Sequence, residues 1–277
     1  MVAIQPLLRL TRFWNLLIIG LSQYFTAGFL ISEDTIDDPK LLILVVSTMM
    51  IAAAGYSIND YYDIKIDLIN KPSRVVIGKG ITRRYALLIH TVLSICGTGL
   101  GFFLDWRIGL FNFMSAFFLW LYSNQLKRLP FIGNFIVALL TGLSIFIVNV
   151  LYLPPMVLVW VYSLFAFFMT LVREIIKDME DLQGDDTFGC KTLPIVWGIR
   201  KTKLFTYLLI GLFTAVVIGI HEAVTPLPVA FFLGFLFVPM GLLLAWLVRA
   251  DTRKDFYRLS QFCKVIMLAG IISMAFL

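Results

Sequence analysis

The sequence predicts an all-α fold, a polytopic membrane protein built as a bundle of nine transmembrane helices, and three observations carry that expectation. Of its 277 residues, 60% are hydrophobic and 15% aromatic, far more than a soluble core of this size needs. The apolar residues gather in runs of about 20, the length that crosses the hydrocarbon core of a bilayer. The charged residues collect at the ends of alternate runs.

Taken in order, the runs fall at 13–31, 41–58, 85–104, 108–125, 131–151, 156–176, 203–220, 227–248 and 261–277. The first follows Arg9 and Arg12 and is long enough to remain as a spanning helix, so no cleavable leader is expected. The third and fourth form the tightest pair, joined only by Asp105-Trp106-Arg107. Tyr152-Leu153-Pro154-Pro155 makes a similarly short connector. Nine crossings put the termini on opposite sides. With the N-terminus in the cytoplasm and the C-terminus outside, all of the 23 basic residues except Lys40 and Arg107 lie on the cytoplasmic side, and the acidic stretch 32–38 lies outside, as the excess of Lys and Arg in cytoplasmic loops requires. Membrane orientation therefore accounts for the net charge of +6, and nucleic acid is not an expected partner. Cys96, Cys190 and Cys263 have neither the even count of a disulfide framework nor metal-ligand spacing.

The second and sixth runs end in the same pattern. Asn59-Asp60 opens a triplet Asp60, Asp63 and Asp67 at i, i+3 and i+7, and Asp178, Asp181 and Asp185 repeat that spacing at a constant offset of 118 residues. Gly80-Ile81 and Gly198-Ile199 match at the same offset, each with a basic residue two further on, Arg83 and Lys201. The chain is thus expected to be a single membrane domain over 1–277 with an internal repeat around helices 2 and 6. On a helix each triplet shares one face. Helices 2 and 6 are an even number of crossings apart, so both triplets reach the cytoplasmic face. Each is followed by a long basic loop, 68–84 and 186–202, and long loops on one face mark the working face.

Six carboxylates gathered together repel, by about 4 kcal/mol for a pair 4 Å apart at an intermediate dielectric, so a cation is expected among them. All-oxygen donors without Cys or His point to a hard ion, and Mg²⁺ characteristically shares a few carboxylates with water and substrate phosphates. A diphosphate-bearing substrate follows. The plainer alternative, solvated acids at helix ends, suits one triplet better than two with matched spacing. Candidate partners for phosphate are Lys71 and Arg74 in the first loop, Lys127 and Arg128 after the fourth run, and Arg173 and Lys177. The last two share a helix face with Asp181, so they pair internally or bind phosphate. For Lys71 and Arg74 the competing role is orientation signalling. Tyr122, five residues before Lys127, either brings a phenol to the site or belongs to the interfacial aromatic belt.

Asn59-Asp60-x-x-Asp63-x-x-x-Asp67, Asp178-x-x-Asp181-x-x-x-Asp185 and the segment 122–127 together resemble the UbiA superfamily of intramembrane prenyltransferases, over essentially the whole chain. Asn70-Lys71-Pro72-x-Arg74, Ile132-Gly133-Asn134 with Leu140-Thr141-Gly142, and the stretch 173–185 resemble its digeranylgeranylglyceryl phosphate synthase branch. One segment departs from that branch: Pro commonly follows the Arg there, and Ser-Gly comes a few residues on, where this chain has Arg74-Val75-Val76-Ile77-Gly78-Lys79. The resemblance implies an enzyme that transfers a geranylgeranyl group from its diphosphate to the hydroxyl of geranylgeranylglyceryl phosphate, through an allylic carbocation, in ether-lipid synthesis. It implies Mg²⁺ held by the six aspartates, with Asn59 as an added polar contact, and with Lys127, Tyr122, Lys71, Arg74, Arg173 and Lys177 as catalytic or substrate-binding groups. It further implies a prenyl diphosphate donor, a lipid-phosphate acceptor, membrane lipid as surroundings, and no obligatory protein partner. Two other readings stand beside it. One keeps the donor half but attaches the chain to an aromatic ring in quinone, haem or chlorophyll synthesis; surplus cations at Lys71, Lys79, Lys127, Arg128 and Lys191 weigh against that one. The other is a repeat-built transporter with the acids as an ion site, against which stands their position at helix ends and not at the midplane.

Overall fold

A computed structural model of the chain describes residues 4–153, 156–224 and 233–276. The helices are α1 (Ile4–Leu10), α2 (Phe13–Leu30), α3 (Pro39–Asn70), α4 (Arg83–Leu104), α5 (Trp106–Asn124), α6 (Ile132–Leu151), α7 (Val157–Glu180), α8 (Leu182–Thr187), α9 (Leu193–Val224), α10 (Val238–Arg249) and α11 (Arg253–Ser273). No strand occurs among the described residues, only an isolated bridge between Ile77 and Ile81. Seven of these helices are long and apolar enough to cross a membrane. The fourth expected run is the 19-residue α5, which falls outside those seven. The eighth corresponds to the shorter α10, and its first part, like Pro154, Pro155 and Leu277, lies outside the described residues.

The helix starts follow from local chemistry. Pro39 occupies the first turn of α3, where its missing N–H costs nothing, and the Asp38 carboxylate accepts from the Lys40 N–H at 2.9 Å. Asp105 ends α4 and caps α5, accepting from the Arg107 N–H at 2.8 Å and from its guanidinium at 3.0 and 3.1 Å. Those hydrogen bonds hold the Asp105 carboxyl below its ordinary range. Thr252 and Asp255 form a reciprocal capping box at the start of α11.

The chain divides into two compact units, 1–127 with 144–156 and 128–143 with 157–277. Each unit carries one acid triplet. In the first, α3 is the central helix. Gly97 of α4 lets the backbones close up, since a Cβ there would meet the Ser47 carbonyl at 3.0 Å and the Ile51 side chain at 2.9 Å. Ser47 Oγ donates to the Gly97 carbonyl at 2.7 Å, and Asn112 Nδ2 of α5 donates to Ser47 Oγ at 2.5 Å. Small residues at the interface and buried polar links are what holds helices together where lipid is as apolar as the side chains.

In the second unit, Met169, Val172 and Ile176 of α7 pack with Ile210 and Phe213 of α9, Leu243 and Leu247 of α10, and Phe256, Leu259 and Cys263 of α11. The outer faces are apolar as well. On α4, Leu88, Ile95 and Phe103 are 55%, 67% and 76% exposed, and on α9 Leu204, Leu208 and Leu212 are exposed at successive turns. Exposed apolar stripes on helices this long are the signature of lipid contact. The protein is an integral membrane protein.

Two expected boundaries shift. The first loop begins at Lys71, not at 68, because α3 runs unbroken to Asn70. At 32 residues that helix is about 48 Å long, against about 30 Å of hydrocarbon, so its last turns extend beyond the core. The second loop, expected over 186–202, is largely helical. α9 begins at Leu193 and breaks at Gly198, whose backbone is at φ 77°, ψ 159°. The matched glycines of the repeat therefore do different work. Gly198 supplies a positive φ, whereas Gly80 supplies room for Pro6, which a Cβ would approach to 2.8 Å. In the first loop the left-handed residue is Gly78, at φ 90°.

Candidate active site

In the first unit, Asn59, Asp60, Asp63 and Asp67 lie on the continuous last turns of α3, each half-buried. The expected shared face is present. Its charge is met from two directions. Arg12, between α1 and α2, brings its guanidinium to 2.9 Å from Asp60 Oδ1. Burial alone would lower the Arg12 pKa, but the charge and hydrogen bond of Asp60 overcome it and hold the guanidinium above its ordinary range. Lys127, in the 3₁₀ turn Leu126–Arg128 that follows α5, pairs with Asp63 Oδ1. Tyr122 is half-buried in the last turn of α5.

Lys71 terminates α3, its N–H bonding the Asp67 carbonyl at 2.7 Å. The loop beyond it is ordered by its own backbone. Gly78 N–H donates to the Ile81 carbonyl at 2.8 Å and Gly80 N–H to that of Val76 at 2.9 Å. Ile77 and Ile81 anchor it against Leu10 and Ala86. Arg74 is exposed on this loop, and Arg83 lays its guanidinium over Tyr61 at 5.3 Å.

In the second unit the triplet is not on one uninterrupted helix. α7 ends at Glu180, and Asp181, at φ −93° and ψ 6°, joins it to α8, which carries Asp185. The Asp181 N–H still reaches the Lys177 carbonyl at 2.8 Å, but the next turn tightens, with Gly184 N–H bonding the Asp181 carbonyl at 3.1 Å. Gly184 within the turn and the weak helix formers around it lower the helix preference there. Asp178 accepts from Asn134 Nδ2 of α6 at 2.8 Å.

Arg173 and Lys177 both meet the acid that lies between them in the chain, Glu174. Arg173 Nη1 meets Glu174 Oε1 at 2.6 Å and Lys177 Nζ meets Glu174 Oε2 at 2.7 Å. Glu174, 8% exposed, is thus a carboxylate that clamps both cations. It and Arg12 escaped the sequence reading. An acid four residues before Asp178 was a visible signal for Glu174; Arg12 gave none, because its partner is 48 residues away.

These residues fit a hard divalent cation. The donors are all oxygen, and side-chain cations already stand at Asp60 and Asp63 where positive charge is called for. Among the described residues no group of three or more His, Cys, Asp or Glu gathers closely enough to hold a metal ion unaided. Mg²⁺ commonly binds in that situation, through one or two carboxylates completed by water and substrate phosphate.

Residues 21–266 match the UbiA prenyltransferase family, and the chain belongs to it. The fold is that of an intramembrane prenyltransferase, an enzyme. Among curated proteins, the digeranylgeranylglyceryl phosphate synthase of Saccharolobus solfataricus is 30% identical over 285 residues, covering 98% of this chain and 96% of that one. A chain solved under the heading "Structural and mechanistic insights into the biosynthesis of Digeranylgeranylglyceryl phosphate synthase in membranes" is similar with a TM-score of 0.74 and 27% identity, over 99% of both chains. A UbiA homolog from Archaeoglobus fulgidus bound to GPP and Mg²⁺ shares the fold at a TM-score of 0.67 and 15% identity, over 98% of this chain and 99% of that one.

Proposed function

We propose that this protein transfers a geranylgeranyl group from its diphosphate to the free hydroxyl of geranylgeranylglyceryl phosphate, the second prenyl transfer of an ether lipid. The observation that carries the choice of substrates is the likeness to the Saccharolobus synthase over 98% of the chain. The donor half is supported by the acids themselves, two triplets at equal spacing, the first neutralised in part by Arg12 and Lys127. In this reading Asp60, Asp63, Asp67, Asp178, Asp181 and Asp185 would hold Mg²⁺ against the diphosphate. Supporting the metal is the A. fulgidus homolog, solved with Mg²⁺ and a prenyl diphosphate.

When bound, Mg²⁺ supplies positive charge that stabilises the charge developing on the leaving diphosphate. The chain's own groups do the rest. Lys127, held at Asp63, and Arg74 and Lys71 on the first loop donate charge-assisted hydrogen bonds to phosphate oxygens. Glu174 fixes Arg173 and Lys177 on α7 in one orientation. The C1–O bond of the donor breaks with its electron pair going to the diphosphate, and the acceptor hydroxyl oxygen closes on the allylic cation as its proton passes to the released diphosphate. Water would intercept that cation, so the Phe-rich helices serve to keep the reacting carbon dry. The full-length likeness favours this lipid acceptor over an aromatic ring. The distribution of Lys and Arg supports placing the N-terminus and the acid-bearing helix ends in the cytoplasm.

Mass identification of the product tests the reading. The purified protein with geranylgeranyl diphosphate, Mg²⁺ and geranylgeranylglyceryl phosphate is expected to form the diether; prenylation of an aromatic acid in its place would move the function to the ring-modifying branch.

A further inference from the structure

Arg12 belongs to neither acid triplet and to no loop of the repeat. Its backbone is left-handed, at φ 51° and ψ 53°, a conformation that side chains with a Cβ avoid and that persists only where the surroundings over-determine it. They do so here. Leu10 is fully buried against Ile77, Ile81 and Ala86, and Pro6 lies over Gly80, so α1 is fixed on the loop 71–82. The residue that joins α1 to α2 is thereby turned inward, its guanidinium at Asp60 and 4.8 Å from the centroid of the Tyr56 ring.

The two cations on the first triplet differ in exposure. The Lys127 side chain is 9% exposed, whereas that of Arg12 is 38% exposed. Lys127 is the more tightly packed partner, and Arg12 the one more open to solvent. Its planar fork matches phosphate oxygens, and the face of Tyr56 offers it a second resting place when it leaves a carboxylate.

We propose that Arg12 is a further active-site residue: a resident counter-cation that holds Asp60 in the empty protein, yields that carboxylate to an incoming divalent cation, and turns its guanidinium to the donor's diphosphate. The proposal rests on the reading of Asp60 as a metal ligand. Without a metal, Asp60 shares its helix face with Asp63 and Asp67, and Arg12 relieves that repulsion. With a metal bound, the same guanidinium is left beside a diphosphate whose oxygens it suits better than any other nearby group.

Calorimetric titration of Mn²⁺ into the full-length protein, without donor, tests the exchange. Arg12→Gln should bind Mn²⁺ about tenfold to a hundredfold more tightly than the unaltered protein, the fold-change equivalent of one charge-assisted pair. Arg12→Lys keeps the charge and should stay close to the unaltered protein. Arg9→Gln, which removes an exposed charge from the same arm, should change Mn²⁺ affinity by less than about twofold at ordinary ionic strength. With Mn²⁺ saturating, Arg12→Gln should bind geranylgeranyl diphosphate about tenfold more weakly. Unchanged or weaker Mn²⁺ binding in Arg12→Gln would overturn the proposal. Asp60→Asn separates the levels. If it loses Mn²⁺ binding while Arg12→Gln behaves as the unaltered protein, only the role of Arg12 fails; if Asp60→Asn binds Mn²⁺ normally even with donor present, the metal-site reading fails as well. Should Arg12→Gln not fold, the unaltered protein serves. Modification of Arg12 by phenylglyoxal, read by peptide mass, should rise with Mn²⁺ alone and fall when donor is added, and a rate indifferent to both would overturn the exchange.

Discussion

Lys127, just past the end of α5, is held against Asp63 on α3, so the basic residue that follows one helix is built into the acid triplet of another. Both side chains are largely buried, and neither is a surface charge. In the proposed reaction this pair fixes an ammonium where the diphosphate leaves.

Asp63→Asn should therefore lower turnover by at least about a hundredfold, the scale seen when one preorganised electrostatic group is removed from an active site. The amide keeps an acceptor for Lys127, so the protein should remain folded. Steady-state rates beside a detergent melting curve check both halves, and a near-normal rate would reduce the triplet to ordinary helix-end acids.

Arg74→Ala should act on the donor. Loss of one guanidinium–phosphate contact of roughly 1.5–3 kcal/mol lowers kcat/KM for geranylgeranyl diphosphate by about tenfold to a hundredfold. Orientation signalling alone predicts no change, since most of the 23 basic residues remain on the same side of the expected topology. An unchanged constant in a correctly inserted variant removes Arg74 from the site.

Glu174→Gln should cost stability as well as rate. It leaves Arg173 and Lys177 without the carboxylate that holds both, and removing one partner of a buried ion pair destabilises by about 3 kcal/mol or more. A lower melting temperature together with a reduced kcat is expected. An unaltered melting temperature would show the clamp to be dispensable.

Metal removal gives a simpler outcome. Excess chelator should abolish turnover and added Mg²⁺ should restore it. Full activity in chelator would end the metal-dependent account.

What the sequence disclosed and what it hid divide along the range of the interactions. The spacing of Asp60, Asp63 and Asp67 was legible because a helix places i, i+3 and i+7 together without help from the rest of the chain, and α3 does so. The same spacing at Asp178, Asp181 and Asp185 failed to foretell the break at Asp181, where a Gly in the next turn lets the helix tighten. The end of α3 was set too early, since its last turns are amphipathic and the apolar run had already stopped at Ile58. Pairing of Arg173 and Lys177 within their own helix was foreseen as an option, but Glu174, the carboxylate that meets both, was not singled out. The contact of Arg12 with Asp60 depends on α1 packing against a loop some 70 residues away in the chain, which no local pattern records.

The central claim is that each acid segment is needed to hold the donor diphosphate through divalent cations. Equilibrium binding of labelled geranylgeranyl diphosphate to the unaltered protein, Asp63→Asn and Asp178→Asn, each with and without Mg²⁺, tests it most directly. The account predicts Mg²⁺-dependent binding in the unaltered protein and its loss by at least about tenfold in each variant singly, since each removes a carboxylate charge that the cations need. Undiminished Mg²⁺-dependent binding in either variant would contradict it, because one segment would then hold the donor alone.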